Sequence, residues 1–188
     1  GEGTCKHAIV CPYHGWAFDF DGALVSVAGM EETVGFTKED HGLIPLRLES
    51  WADFLFVNFD SDCAPLADYL GDLPLNCAPY APEEMVCGRR KTYSVEGNWK
   101  LYFENYNDSL HIPFVHGGTL ARQKVKGRER STHEQTTGAY ITHFTKHEGS
   151  RGLLTGETGF PPIETPSDRH EASTYYPGLY PTTTLGCA

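Results

Sequence analysis

The stretch NWKLYFENYNDSLHIPFVH, Asn98 to His116, constrains this chain most. Asn98 is an N-cap residue for a helix predicted over Trp99–Leu110. Trp99, Phe103, Tyr106 and Leu110 recur at spacings of three and four, so one face of that helix is apolar. Pro113 predicts that the helix ends or bends after His111 or Ile112, and Gly117-Gly118 marks a loop. Asp108 and His111 are three apart and are expected on one helix face. The turn at Pro113 then lets His116 come round to the same point. Two neutral imidazoles placed so form half of a facial triad, an arrangement that holds Fe(II) with open coordination positions. The plainer reading is two polar histidines at a helix end.

A second cluster opens the chain. CKHAIVCPYHGW holds Cys5-x-His7 and Cys11-x-x-His14. Four such residues can bind zinc. Structural zinc motifs, however, place a longer loop or helix between their ligand pairs, and only Ala8-Ile9-Val10 intervenes. Those three residues read as a strand, in which neighbours point to opposite faces. The other cysteines, Cys63, Cys77, Cys87 and Cys187, have no histidine or cysteine at ligand spacing and read as plain thiols.

Around these clusters the organisation is coarse but legible. Residues 1 to about 60 are strand-like, with a hairpin signal at Asp21-Gly22 and a second strand pair turning at Glu49 to Asp53. Pro65, Pro74, Pro79 and Pro82 mark residues 63–87 as a linker, with Leu66 to Leu70 as one helical turn at most. Arg89 to Val95 reads as a strand before the helix. The basic run Arg122 to Arg130 reads as a solvated loop, with docking of an acidic protein as the alternative. TTGAYITHFTKH and HEASTYYPGLYPTTTLG are strand-like. His133, His143, His147 and His170 show no pattern.

The formal net charge of −10 disfavours a nucleic-acid binder, which needs a basic surface. No apolar run reaches the length of a membrane span, and the first residues do not resemble a signal peptide. Cysteines beside histidines suit a reducing, cytoplasmic setting.

Both clusters carry a resemblance. Cys11-Pro-Tyr-His14-Gly-Trp16 closely resembles the second ligand loop of Rieske [2Fe–2S] proteins, in which each of two loops gives one cysteine and one histidine. The family's first loop is Cys-x-His at a longer separation, so Cys5 and His7 have the right letters at the wrong distance. Asn-Trp-Lys, Glu104-Asn105, then Asp108-x-x-His111-x4-His116 resembles the catalytic signature of Rieske non-haem iron ring-hydroxylating oxygenase α subunits. The resemblance runs from Cys11 to about Gly118.

It implies an α+β chain: a small antiparallel β Rieske domain (1–62), the linker (63–87), and part of a helix-on-curved-antiparallel-sheet catalytic domain (88–188). It implies that Cys11 and His14 hold the [2Fe–2S] cluster, with Trp16 shielding it. His111 and His116 hold a mononuclear non-haem Fe(II). Asp108 bridges the two centres for electron transfer, and Glu104 and Asn105 line or buttress the site. It implies electrons from NAD(P)H through a reductase or ferredoxin, and O2-dependent hydroxylation of a small organic substrate, aromatic compounds included, by dioxygenation, monooxygenation or demethylation. A homotrimer or α3β3 assembly is implied. The glycine spacing of GTLARQKVKG does not match a nicotinamide loop. The family's third iron ligand is an aspartate far downstream, a role for which Asp168 is a poor match. With that ligand and the first cluster loop expected outside it, the chain is expected to be inert as given. The spacing between Glu104-Asn105 and Asp108 is shorter than in naphthalene-type dioxygenases and resembles demethylating and aliphatic-amine monooxygenases. The alternatives are a Rieske ferredoxin-like carrier, which has no need of His111 and His116, and a zinc-binding module, which uses Cys5 and His7.

Overall fold

The computed structural model describes residues 3–30, 32–119, 123–126, 131–154 and 173–187. Two compact units emerge: Gly1–Glu49 with Phe56–Cys63, and Ser50–Leu55 with Ala64–Ala188.

In the first unit, β1 (Ile9–Val10), β2 (Ala17–Phe18) and β3 (Leu24–Ser26) pair antiparallel in that order. Ile9 faces Phe18, and Ala17 faces Ser26. The hairpin forms at Asp21-Gly22 as expected, because Asp19 Oδ1 accepts the N–H groups of Asp21 and Ala23 at 3.0 and 2.8 Å. The core here is small, with Leu24 and Val27 buried. The second strand pair also forms, as β4 (Arg47–Trp51) and β5 (Phe54–Asn58). Its turn is tighter than the sequence suggests: Glu49 and Ser50 stay in the strand, and only Ala52 and Asp53 adopt positive φ, 49° and 61°. Two consecutive left-handed residues match the right-handed twist of the strands they join.

The main stretch of the second unit starts at Ala64, in the segment read as a linker. It is built, not loose. α1 (Leu66–Leu70) and α2 (Leu73–Cys77) bury Leu70, Leu73 and Cys77, and a short turn beyond buries Tyr80. The prolines begin these helices instead of preventing them, since Pro74 occupies a first-turn position where its missing N–H costs nothing. Asp72 bolts the segment to the sheet. Its Oδ1 accepts from Tyr140 Oη at 2.8 Å and from Thr137 N–H at 3.1 Å, while its own N–H donates to Thr137 Oγ1 at 3.0 Å. Burial opposes ionisation of Asp72, but these hydrogen bonds together hold the carboxyl below the usual range.

Residues 85–97, including the strand expected at Arg89 to Val95, have no regular structure; among the described residues no partner strand supplies a ladder. Then come α3 (Trp99–Asn107) and α4 (Ile112–Val115), followed by β6 (Gln123–Lys126), β7 (Thr132–His133), β8 (Tyr140–Lys146), β9 (Glu148–Leu154), β10 (Ser173–Leu179) and β11 (Thr183–Thr184). The main sheet has the antiparallel order β11-β10-β8-β7, and β6 pairs with β9 separately. Part of the basic run is therefore a strand, not a loop. Its arginines Arg122, Arg128 and Arg130 lie outside the described residues, as do Asp168 and His170.

α3 is capped as expected, with Asn98 Oδ1 accepting from Lys100 N–H at 3.0 Å. It lies on β10 and β8. Phe103 and Asn107 are buried, while Trp99 is exposed and Leu110 falls beyond the helix. The close approach requires Gly178 on β10, where an added Cβ meets Asn107 Nδ2 at 2.8 Å and Phe103 Cζ at 2.9 Å. Gly178→Ala in the full-length polypeptide is expected to cost about 1–3 kcal/mol by overpacking. Chemical denaturation measures it, and an unchanged midpoint would show that α3 rides higher on the sheet.

Candidate functional site

Cys11 to Trp16 turns the chain from β1 into β2. The Cys11 N–H donates to the Trp16 carbonyl at 2.8 Å, and the Cys11 carbonyl accepts from Gly15 N–H at 2.9 Å. Gly15 closes the loop at φ +74°, a conformation that side chains resist. His14 is exposed at the rim, with the Tyr13 ring 3.8 Å from its own, and Cys11 is half-buried. Trp16 packs edge-on against Phe36 at 5.7 Å and His41 at 6.2 Å. His41 Nδ1 lies 2.8 Å from the Thr37 carbonyl, which only accepts, so that nitrogen carries the proton. Among the described residues no three Cys, His, Asp or Glu side chains converge on a metal-sized point, the quartet Cys5, His7, Cys11 and His14 included.

The second site is assembled differently from the sequence expectation. α3 stops at Asn107, and Asp108 is extended, at φ −91° and ψ 124°. Asp108 and His111 therefore do not share a helix face. Asp108 Oδ1 accepts from Leu110 N–H at 2.7 Å, a local turn that competes with the helix. The other carboxylate oxygen, Oδ2, is then left 3.0 Å from His111 Nδ1. A carboxylate can only accept, so His111 holds its proton on Nδ1 and keeps the Nε2 lone pair for a ligand. The Leu110 amide first, and then the His111 ring, hold the Asp108 carboxyl below its usual range.

His111 caps α4: its carbonyl accepts from Val115 N–H at 2.8 Å and Phe114 N–H at 3.0 Å. Pro113 falls in the first turn of α4, so it starts a helix where the sequence reading had it ending one. That single turn carries His116 back to His111. Their ring centroids are 5.2 Å apart, with the planes at 66°. Two imidazoles sharing one metal at about 2.1 Å, about 110° apart, put their centroids roughly 5 Å from each other. The observed centroid spacing matches that of two imidazoles on a shared ion.

Glu104 and Asn105 have exposed side chains, and what they supply is backbone: their carbonyls accept the Asp108 N–H at 3.0 and 3.3 Å. Sequence reasoning missed Asn107. It is buried against Gly178 and donates to the Phe103 carbonyl at 2.9 Å. Its spacing of four from Phe103 was the available signal. Also missed was a layer beneath the C-terminal half of α3. Tyr106 meets Tyr176 edge-on at 5.6 Å, Tyr176 stacks on His143 at 4.8 Å, and His143 stands 6.1 Å from His133 across β7 and β8. An apolar groove of about 410 Å³ runs between Trp99, Tyr102, Phe103 and Pro181; neither His111 nor His116 lines it.

A small antiparallel β unit with a Cys–His loop, followed by a helix on an antiparallel sheet, is the fold of the Rieske oxygenase class. It is shared with the quaternary ammonium Rieske monooxygenase CntA solved with L-carnitine, at TM-score 0.73 and 23% identity over 99% of this chain and 45% of that one. A family model described as the ring hydroxylating alpha subunit (catalytic domain) matches residues 82–188, and one described as the Rieske [2Fe-2S] domain matches residues 1–45. The chain belongs to the ring hydroxylating alpha subunit family. Among curated relatives, the carnitine monooxygenase oxygenase subunit of Acinetobacter baumannii is 31% identical over 142 residues, covering 74% of this chain and 38% of the relative. The chloroplastic choline monooxygenase of Beta vulgaris is 31% identical over 117 residues, covering 59% and 26%. The chain thus spans well under half the length of the curated relatives it matches.

Proposed function

We propose that this chain is part of the oxygenase component of a Rieske monooxygenase that hydroxylates a small organic substrate bearing a quaternary ammonium or amine group. The observation that carries the reading is the arrangement at Asp108, which engages His111 Nδ1 and leaves Nε2 as the ring's lone-pair nitrogen, with the His111 and His116 ring centroids 5.2 Å apart. A ferredoxin-like carrier has no use for that pair. The curated relatives' names support the substrate class over an aromatic hydrocarbon, as does the short spacing from Glu104-Asn105 to Asp108.

In this reading Cys11 and His14 hold one side of a [2Fe–2S] cluster, and His111 and His116 hold a mononuclear iron. Bound there, that iron supplies O2 activation, with electrons arriving from NAD(P)H through a separate reductase and the cluster. The chain's own work is orientation. Asp108 fixes the His111 tautomer, and Gly15 lets the loop backbone close round Cys11. Trp16 adds an apolar wall beside the loop. A cyclic homotrimer, or α3β3, would bring one subunit's cluster to another's iron. Among the described residues no helix is long and apolar enough to cross a membrane. Unpaired cysteines suit a reducing cytoplasm.

The test uses the full-length polypeptide with an NAD(P)H-fed reductase. Carnitine, choline and naphthalene are offered separately under O2, with products read by mass spectrometry. A trimethylammonium substrate is expected to be turned over, and the reduced protein is expected to give a Rieske paramagnetic signal that Cys11→Ser removes. Turnover of naphthalene alone would refute the substrate class. A well-loaded protein without that signal would refute the cluster.

A further inference from the structure

His133 and His143 belong to neither of the Cys–His and Asp–His clusters, and their separation in the sequence carries no ligand pattern. The sheet makes them neighbours. β7 is an edge strand of two residues, with Thr132 opposite Phe144 and His133 opposite His143 on β8. Residues opposed in this way across an antiparallel pair put their side chains on one face, with Cβ atoms about 4.5–5.5 Å apart. The two imidazole centroids stand 6.1 Å apart, with the planes at 60°. His111 and His116 cross at nearly the same angle, 66°, at 5.2 Å. The rings of the β7–β8 pair differ in freedom. His143 is 3% exposed and stacks on Tyr176, which itself meets Tyr106 of α3 edge-on, so the ring is held from behind. His133 is exposed. Beside the pair, Ser131 Oγ lies 2.6 Å from Thr145 Oγ1, a further tie between this edge and β8.

We propose that His133 and His143 form a second metal site, separate from the His111–His116 pair, which takes zinc or another borderline divalent cation through one nitrogen of each ring. Imidazole suits such ions. A tetrahedral centre puts two imidazole centroids roughly 5 Å apart, so the gap has to close by about 1 Å. The exposed His133 side chain makes that movement by a small torsional change, while His143 is already fixed by Tyr176. Only one of the two side chains is ordered by binding, which limits the entropy lost. Water completes the coordination, so the site binds more weakly than a four-ligand structural zinc site. Its effect is mechanical. A two-residue edge strand has few ladder bonds to hold it, and an ion shared between β7 and β8 staples that edge to the sheet. An ion that binds the folded sheet and not the unfolded chain stabilises the fold by mass action.

Zinc is titrated by calorimetry into the full-length protein carrying its own metals, and thermal unfolding is followed in parallel. One further equivalent of zinc is expected to bind. The melting temperature is expected to rise by several degrees at about 100 times the dissociation constant. His133→Gln, at an exposed position, is expected to fold and to lose both the binding and the rise. Two double variants separate the site from the other imidazoles and thiols. His111→Ala/His116→Ala and Cys5→Ser/His7→Gln are each expected to keep the His133-dependent zinc and the rise in melting temperature. Absence of zinc uptake in wild type, uptake that survives His133→Gln, or uptake lost in either double variant would overturn the proposal.

Discussion

His111→Ala in the full-length protein is expected to lower substrate hydroxylation by more than about 100-fold, beyond what losing an outer-shell partner costs. The cluster's reduced-state paramagnetic signal should remain at wild-type intensity. The separation follows from the local structure. His111 takes its position from Asp108 and α4, whereas Cys11 and His14 sit on a loop between β1 and β2, with its own backbone hydrogen bonds. Removing His111 takes away one of two imidazoles whose rings stand 5.2 Å apart and leaves His116 as the only one of that pair. Single-site iron content, measured beside the cluster, is expected to fall with activity. Full turnover in this variant would return the chain to the electron-carrier reading.

Asp108→Asn is the second large effect, about 10–100-fold on turnover with both metals still bound. The amide keeps an oxygen that can accept from His111 Nδ1–H, but it lacks the charge that makes the carboxylate the stronger partner. The pH dependence has a definite sign. The Asp108 carboxyl titrates below its unfolded value, so its contribution is complete above the usual carboxylate range and is lost as pH falls through the lower folded value. Wild type is therefore expected to show no inflection from Asp108 between about pH 5 and 8. Single-turnover rates under substrate saturation test this. A variant as fast as wild type would remove Asp108 from the electron path and leave it a mere turn former.

The contact between Asp108 and His111 was legible, but the reason given for it was not correct. Spacing alone put the two on a helix face; the structure ends the helix at Asn107 and lets a side-chain turn make the same contact. Either backbone satisfies the spacing, and only the competition between the Asp108 carboxylate and the helix ladder chooses. The segment read as a linker holds more regular structure than its prolines suggest. Prolines punctuate local structure, but they do not say whether the short helices between them are buried. Leu70, Leu73, Cys77 and Tyr80 are buried because Asp72 docks on Thr137 and Tyr140, contacts made far along the chain.

The sequence by itself determined the short-range features: the Cys11–Trp16 loop, the Asp21-Gly22 hairpin, the Asn98 cap, and the histidines that flank Pro113. Each depends on residues within one or two turns, where side-chain chemistry acts directly on the neighbouring backbone. Tertiary structure alone decided the sheet order β11-β10-β8-β7, the seating of α3 over Gly178, the Tyr106–Tyr176–His143 layer, and the docking of Asp72 on Thr137 and Tyr140. Those partners are far apart in the chain, and no local pattern encodes which distant surface a strand or helix will cover.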